Sequence, residues 1–136
     1  MKKVMILLII LLVGLPTLLS AGEREVLKAF EILKVSGGVS DRKYNELLRD
    51  AEVELNILKR NLAVSKEFLD TAQECNKEFN RAAFSGMMAK ESGIAAERAR
   101  QPASEIEAAM QPHFDARQQS MKNAAVLLDK LYTYVK

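Results

Sequence analysis

The chain has no tryptophan, one cysteine, one histidine and three prolines among 136 residues, and aromatic residues make up only 6%. With Cys75 alone there is no internal disulfide, so in an oxidising compartment packing has to hold the fold. The covalent haem motif Cys-x-x-Cys-His is absent, and a single histidine, His113, leaves none of the Glu-x-x-His pairs that build a di-iron site on facing helices. Nucleophile motifs are missing as well. Ser85-Gly86 has no Gly-x-Ser-x-Gly context and no partnered histidine. Gly37-Gly38 has neither a lysine at P-loop spacing nor a preceding strand. Carboxylates are plentiful, but Glu52 with Glu54, or Glu105 with Glu107, are two residues apart and diverge on a helix, where acid-base work needs a pair held in one cleft. No stretch alternates polar and apolar residues with β-branched enrichment, which excludes strands, and there is no internal repeat or low-complexity tract.

A surplus of one charge is also lacking. Lys and Arg number 20 against 18 Asp and Glu, and two of the lysines, Lys2 and Lys3, lie in the first 21 residues, which hold no acid; the rest of the chain carries 18 of each. That balance argues against a nucleic-acid binder or a polybasic membrane-surface protein, both of which need a surplus of positive charge on one face.

What is present begins with a targeting pattern. Lys2 and Lys3 precede the apolar run from Val4 to Val13, which Gly14 and Pro16 break before Leu19-Ser20-Ala21. This predicts a bacterial signal peptide over residues 1–21, cleaved after Ala21. An uncleaved N-terminal anchor is the alternative, since Val4 to Leu19 is a little short of the roughly 20 residues that span a bilayer. No cysteine stands at the cleavage region to carry a lipid.

The remainder reads as helical throughout. Val26, Phe30 and Leu33 keep helical spacing, and the helix stops at Ser36-Gly37-Gly38-Val39-Ser40, where two glycines supply backbone freedom, including positive φ. Ser40 restarts the chain as an N-cap, with Val39 and Tyr44 at the hydrophobic-staple positions. Tyr44, Leu47, Leu48, Ala51, Leu55, Leu58 and Leu62 then trace one apolar stripe, which Val53 and Ile57 widen toward a second neighbour. Ser65, with Val64 before it and Leu69 after it, repeats the cap and staple and predicts a turn after Asn61; a helix continuous through this point is the alternative. A third helix follows, with Phe68, Leu69, Ala72, Cys75, Phe79, Ala82 and Ala83 toward the core, and Ser92-Gly93 as its stop. Pro102 breaks the chain, and Ser104-Glu105-Ile106-Glu107 is a capping box that starts the last helix, which Pro112 should kink. Phe114, Gln118, Met121, Ala125, Leu128, Tyr132 and Val135 carry helical spacing to the end, thickened by Ala124, Leu127 and Leu131.

Gly38-Val39-Ser40, Tyr44, Leu47-Leu48, Asp50-Ala51 and Glu54-Leu55, followed by Phe79, Ala82 and Phe84, form a pattern. In it the chain resembles small, mostly uncharacterised bacterial helical proteins that have a Gly-Val turn, a helix with an early tyrosine, and a third helix bearing spaced aromatics. The resemblance covers about residues 24–84. It implies a helical fold and brings no activity.

Few residues suggest a site. His113 with a methionine such as Met110, Met87 or Met88 is the candidate metal or haem pair, though metal sites generally need more ligands than this. The adjacent Met87 and Met88 point in different directions, and such methionines more often serve as adaptable core filler. Cys75 falls on an apolar stripe, where a cysteine behaves as a small hydrophobe; an intermolecular disulfide is the exception to keep in view. Tyr132 and Tyr134 are expected to cap the bundle. The sequence therefore predicts an all-α protein, a signal peptide followed by a single domain over 22–136. That domain is a bundle of about four helices over 23–35, 41–61, 66–91 and 104–135, the first three forming a compact unit. The expected role is non-enzymatic, with no cofactor: an interaction or structural protein of the bacterial envelope. A protein partner or a second copy would meet an apolar helical face, either the last helix from Phe114 or the alanine-rich face after Ala82. The membrane would be met only through the signal segment. The alternative is a ligand or metal/haem binder using His113 and a methionine.

Overall fold

Helical spacing of apolar side chains recurs in four segments, and in the computed structural model, which describes residues 22–135, each is a helix and no strand occurs among the described residues. The expected signal peptide, residues 1–21, lies outside the described residues.

α1 (residues 22–35) buries Val26, Leu27, Phe30 and Leu33. It ends where the Ser36 hydroxyl donates to the Ile32 carbonyl, a side-chain bond that competes with continuation of the helix. Gly37 and Gly38 make the reversal, but neither has a positive φ, and a Cβ on either would meet nothing within 4 Å. The expectation that left-handed backbone makes these glycines necessary is thereby corrected; the turn uses backbone that any residue can adopt.

α2 (Asp41–Lys59) starts on Ser40, whose Oγ accepts from the Lys43 amide at 3.3 Å. Its buried stripe is Tyr44, Leu48, Ala51, Leu55 and Leu58. Leu62, expected on that stripe, is fully exposed because the helix has already ended at Lys59, and Val53 and Ile57 are more than half exposed rather than packed against a second neighbour. The chain turns after Asn61, whose Oδ1 accepts from the Ala63 amide at 3.0 Å, and Ser65 caps the next helix by accepting from the Phe68 amide at 3.2 Å. Val64 and Leu69, the staple pair, both pack on the core.

α3 (Lys66–Arg98) runs straight through the expected stop at Ser92-Gly93. Gly93 lies on its buried face, and a Cβ there would come within 2.6 Å of Met110 Sδ, so this glycine serves close helix approach rather than termination. The helix ends in a Schellman motif: the Gln101 amide donates to the Ala96 carbonyl at 3.1 Å, the Arg100 amide to the Glu97 carbonyl at 2.9 Å, and Arg100 takes the left-handed position at φ 56°. α4 (Ala103–Tyr134) begins on Pro102, whose carbonyl accepts from the amides of Glu105 and Ile106. The expected capping box does not form, because Ser104 is already inside the helix and no side chain caps it. Pro112 stands within α4, where it leaves the Ala108 carbonyl without its ladder donor.

Successive helices run antiparallel. Gly22 sits beside Leu58 on α2, Asp41 stands by Lys90 and Tyr44 by Phe79 on α3, and α3 meets α4 at Gly93 with Met110 and at Cys75 with Ala124. One core unites all four: Phe30 and Leu33 of α1, Leu55 and Leu58 of α2, Phe68 and Phe79 of α3, Leu128 and Leu131 of α4. The first three helices are therefore not a unit apart from the fourth. The stripe of α4 is centred on Ala124, Leu128 and Leu131, while Met121, Ala125 and Tyr132 sit at its edges and Phe114 and Val135 are exposed.

Length decides the shape. At about 1.5 Å per residue, the 19 residues of α2 reach about 28 Å and the 33 of α3 about 50 Å. α2 begins at the level of Lys90, marked by the Asp41 to Lys90 contact at 3.8 Å. Residues 90–98 of α3 and 103–114 of α4 therefore extend beyond α1 and α2 as a two-helix arm.

Candidate functional site

The arm is where the packing changes character. Below it, α1 and α2 cover α3 and α4; within it, among the described residues, α3 and α4 have only each other. Their seam is made by small residues, Ala89, Gly93 and Ala96, which let the helices approach closely. The alanine-rich face after Ala82 is thus consumed inside the chain, and so is most of the apolar face of α4, through Ala124, Leu128 and Leu131. Most of the two faces expected to meet a partner is therefore packed within the chain, while Phe114 at the start of one of them stays open.

Two of the open grooves on the described surface meet at the foot of the arm. One, of about 290 Å³, runs between α2 and α3 beside Tyr44, Leu48, Phe84 and Met87. The other, of about 370 Å³, lies on the arm between α3 and α4, floored by Ile94, Ile106, Met110 and Phe114. Asp41, Gly86 and Arg117 line both, so the two grooves meet at the foot of the arm. Ile94 is 39% exposed and Phe114 42%, large apolar side chains left in solvent by helices that outlast their neighbours. Lys90 and Arg117 stand against Asp41 and Glu97 on the arm groove, a charge-balanced rim around an apolar floor. Arg117 also donates to the Gly37 carbonyl at 2.8 Å, which ties the α1–α2 turn to α4.

The metal candidates Met110 and His113 stand one turn apart on α4. Met110 turns toward Gly93 and lines the arm groove, whereas His113, half-buried on the same helix, does not line it. Among the described residues no three of His, Cys, Asp and Glu gather closely enough to hold a metal ion. Cys75 is fully buried, its thiol 3.5 Å from the Ala124 carbonyl, so an intermolecular disulfide through it is ruled out in the folded protein. Burial, with the Glu78 charge behind it, pushes its pKa up to about 12, which keeps it a protonated, unreactive thiol. Tyr44 is also pushed up to about 12, by burial first; its hydroxyl lies 3.4 Å from the Phe79 carbonyl and 3.5 Å from Met121 Sδ. Tyr132, raised by burial and then by its bond to Glu31, joins α4 to α1 at 3.1 Å.

Two features escape sequence reasoning. Glu78 is a buried carboxylate on α3, paired with Arg81 and 3.5 Å from Asn123 Nδ2 of α4. With its charge answered by Arg81, it fastens two helices. The other is the arm groove itself, whose signal would have been the excess length of the α3 and α4 patterns over that of α2. Such an arrangement provides apolar area and a polar rim, the elements of a recognition surface.

No protein-family model, curated protein or solved structure matches the chain. The resemblance over residues 24–84 rests on the residues quoted for it, and the all-α fold rests on the four helices.

Proposed function

We propose that this is a non-enzymatic, exported helical protein of the bacterial envelope that acts by binding protein through the exposed apolar groove of its arm. One observation carries the reading: large apolar side chains, Ile94 and Phe114, stand open in a groove where the fold has helices on one side only. Exposed apolar area of this kind, rimmed by polar groups, marks recognition surfaces. Export is supported by Lys2, Lys3 and the apolar run behind them. No helix of the described residues is long and apolar enough to cross a membrane. The equal numbers of acidic and basic residues after residue 21 argue against a nucleic-acid partner.

A photo-crosslinking residue at position 94, expressed in a bacterial envelope, tests this. Protein adducts from position 94 and none from Val126, an exposed residue of α4 far from the arm, are the expected result. Equal labelling from both, or none from either, would sink the proposal. The mass of the exported product reads the cleavage site, and an intact Met1 would contradict the proposed processing.

A further inference from the structure

α1 and α2 form a layer over one side of α3 and α4, and that layer stops at Asp41 while α3 and α4 continue. The arm groove is the same face of the same helix pair, left uncovered; Asp41 lines it at its foot. What would complete the bundle there is a second pair of antiparallel helices about as long as the arm. The chain itself contains such a pair, namely the arm of another copy.

We propose that the protein forms a two-fold dimer in which two arms pack groove to groove, head to tail, making a four-helix bundle from two helix pairs. This rests on the interaction reading above and names its partner. Charge supports the choice. Arg117 stands at the foot of the groove and Glu97 near its tip, and neither has an ion-pair partner among the described residues. In a head-to-tail pair the tip of one arm lies over the foot of the other, so Glu97 of each copy meets Arg117 of its mate, twice by symmetry. Lys90 falls between them. A groove of one sign would repel its own image; this one carries two acids and two bases. The rest of the molecule adds no obstacle, since beyond residue 21 acidic and basic residues are equal in number. The apolar floor supplies the core, Ile94 and Phe114 of each copy exchanging water for one another's side chains, at the centre of the contact where burial counts most.

Size exclusion with light scattering, on protein purified after expression of the full chain, reads the mass directly, and a dimer is expected. Ile94→Glu should weaken association at least about tenfold, as loss of a central apolar contact does. Its melting temperature should stay close to that of the parent when both are compared as monomers, because position 94 lies outside the four-helix core. Glu97→Arg and Arg117→Glu should each weaken the dimer, and the two combined in one chain should restore it. That rescue is specific to a head-to-tail second copy and is not produced by misfolding. A monomer at every concentration, an undisturbed dimer in Ile94→Glu, or a double charge swap no better than the single ones would each overturn the dimer. A monomer that still yields position-94 adducts with another envelope protein overturns self-pairing and leaves the interaction reading standing; a monomer with no adducts removes both.

Discussion

The foot of the molecule and its arm are built from the same two helices and differ in what those helices meet. Around Phe79, four helices converge, and side chains as large as Phe30, Phe68, Leu58 and Leu131 are fully buried. Around Gly93, two helices meet, and the buried residues are Ala89, Gly93 and Ala96. From residue 103 to 119, α4 has no fully buried residue, only partly covered ones such as Ile106 and Met110. Two helices in contact can shield only a narrow seam, so any large apolar residue on the arm is left in water. A helix pair becomes a core only when a second layer covers it. The foot has such a layer, and the arm does not.

The largest expected effect follows from that difference. Phe79 packs tilted against Phe30, ring centroids 5.6 Å apart, at the centre of the foot. Phe79→Ala should destabilise the protein by about 3–5 kcal/mol in denaturant unfolding, the transfer and cavity terms adding. Phe114→Ala, an equal truncation on the arm, should change the stability of the monomer by no more than about 0.5 kcal/mol. Similar losses at the two sites would break the contrast between foot and arm.

Alkali attacks the foot selectively. Cys75 and Tyr44 both have folded-state pKa values raised, from 9.0 and 10.0 to about 12, so in the folded state each is held in its neutral form. A raised folded pKa means the stabilisation is complete below the unfolded value and disappears as pH climbs through the folded one. Stability should therefore fall between about pH 9 and pH 12. Cys75→Ala combined with Tyr44→Phe should flatten that fall, whatever the double variant loses in packing. A parent whose melting temperature is level across this range would show that the foot is more open to water than its burial implies.

Several of these features can be read from the residues alone, and the reason is local chemistry. The stripe of α2 and the caps at Ser40 and Ser65 depend on neighbours within four residues, so spacing and side-chain type suffice. Gly93 shows the opposite case. A glycine that ends a helix and a glycine that admits a neighbour are the same letter, and Met110, which decides between them, lies across the α3–α4 turn. Ser104 illustrates a local pattern overruled by a stronger one, since Pro102 already has the extended backbone and free carbonyl that start a helix. The arm groove needed a comparison of three helix lengths, which no single stretch contains. Met110 and His113 are one turn apart in sequence, and the seam with α3 puts Met110 on the groove and leaves His113 off it, a difference that needs the packing partner to be known.

The boundary between foot and arm is the turn at Gly37 and Gly38. Both glycines have backbone angles open to other residues and free space where a Cβ would go. Gly37→Ala and Gly38→Ala should each stabilise the fold by about 0.4–1 kcal/mol by narrowing the unfolded ensemble. The bond from Arg117 is made to the Gly37 carbonyl and survives the change. A loss of stability in thermal unfolding of either variant would show that the turn demands glycine after all.

The smallest effect belongs to the arm's tip. Arg100 holds φ 56° at the position of the Schellman motif where glycine is the usual residue, with no side-chain compensation evident. Left-handed backbone is unfavourable for a residue with a Cβ by about 1 kcal/mol or more, while glycine gives back about 0.4–1 kcal/mol through greater freedom of the unfolded chain. Arg100→Gly should thus gain about 0.5 kcal/mol, and where that gain registers is informative. If the arm opens on its own, below the free energy of global unfolding, its amides near residues 95–101 should exchange about twofold more slowly while the melting temperature hardly moves. If foot and arm instead unfold together, the same change should raise the global midpoint and slow exchange in α2 equally. Hydrogen exchange read at both places separates these outcomes, and the second would mean that the small-residue seam around Gly93 couples the arm to the foot more tightly than its buried area suggests.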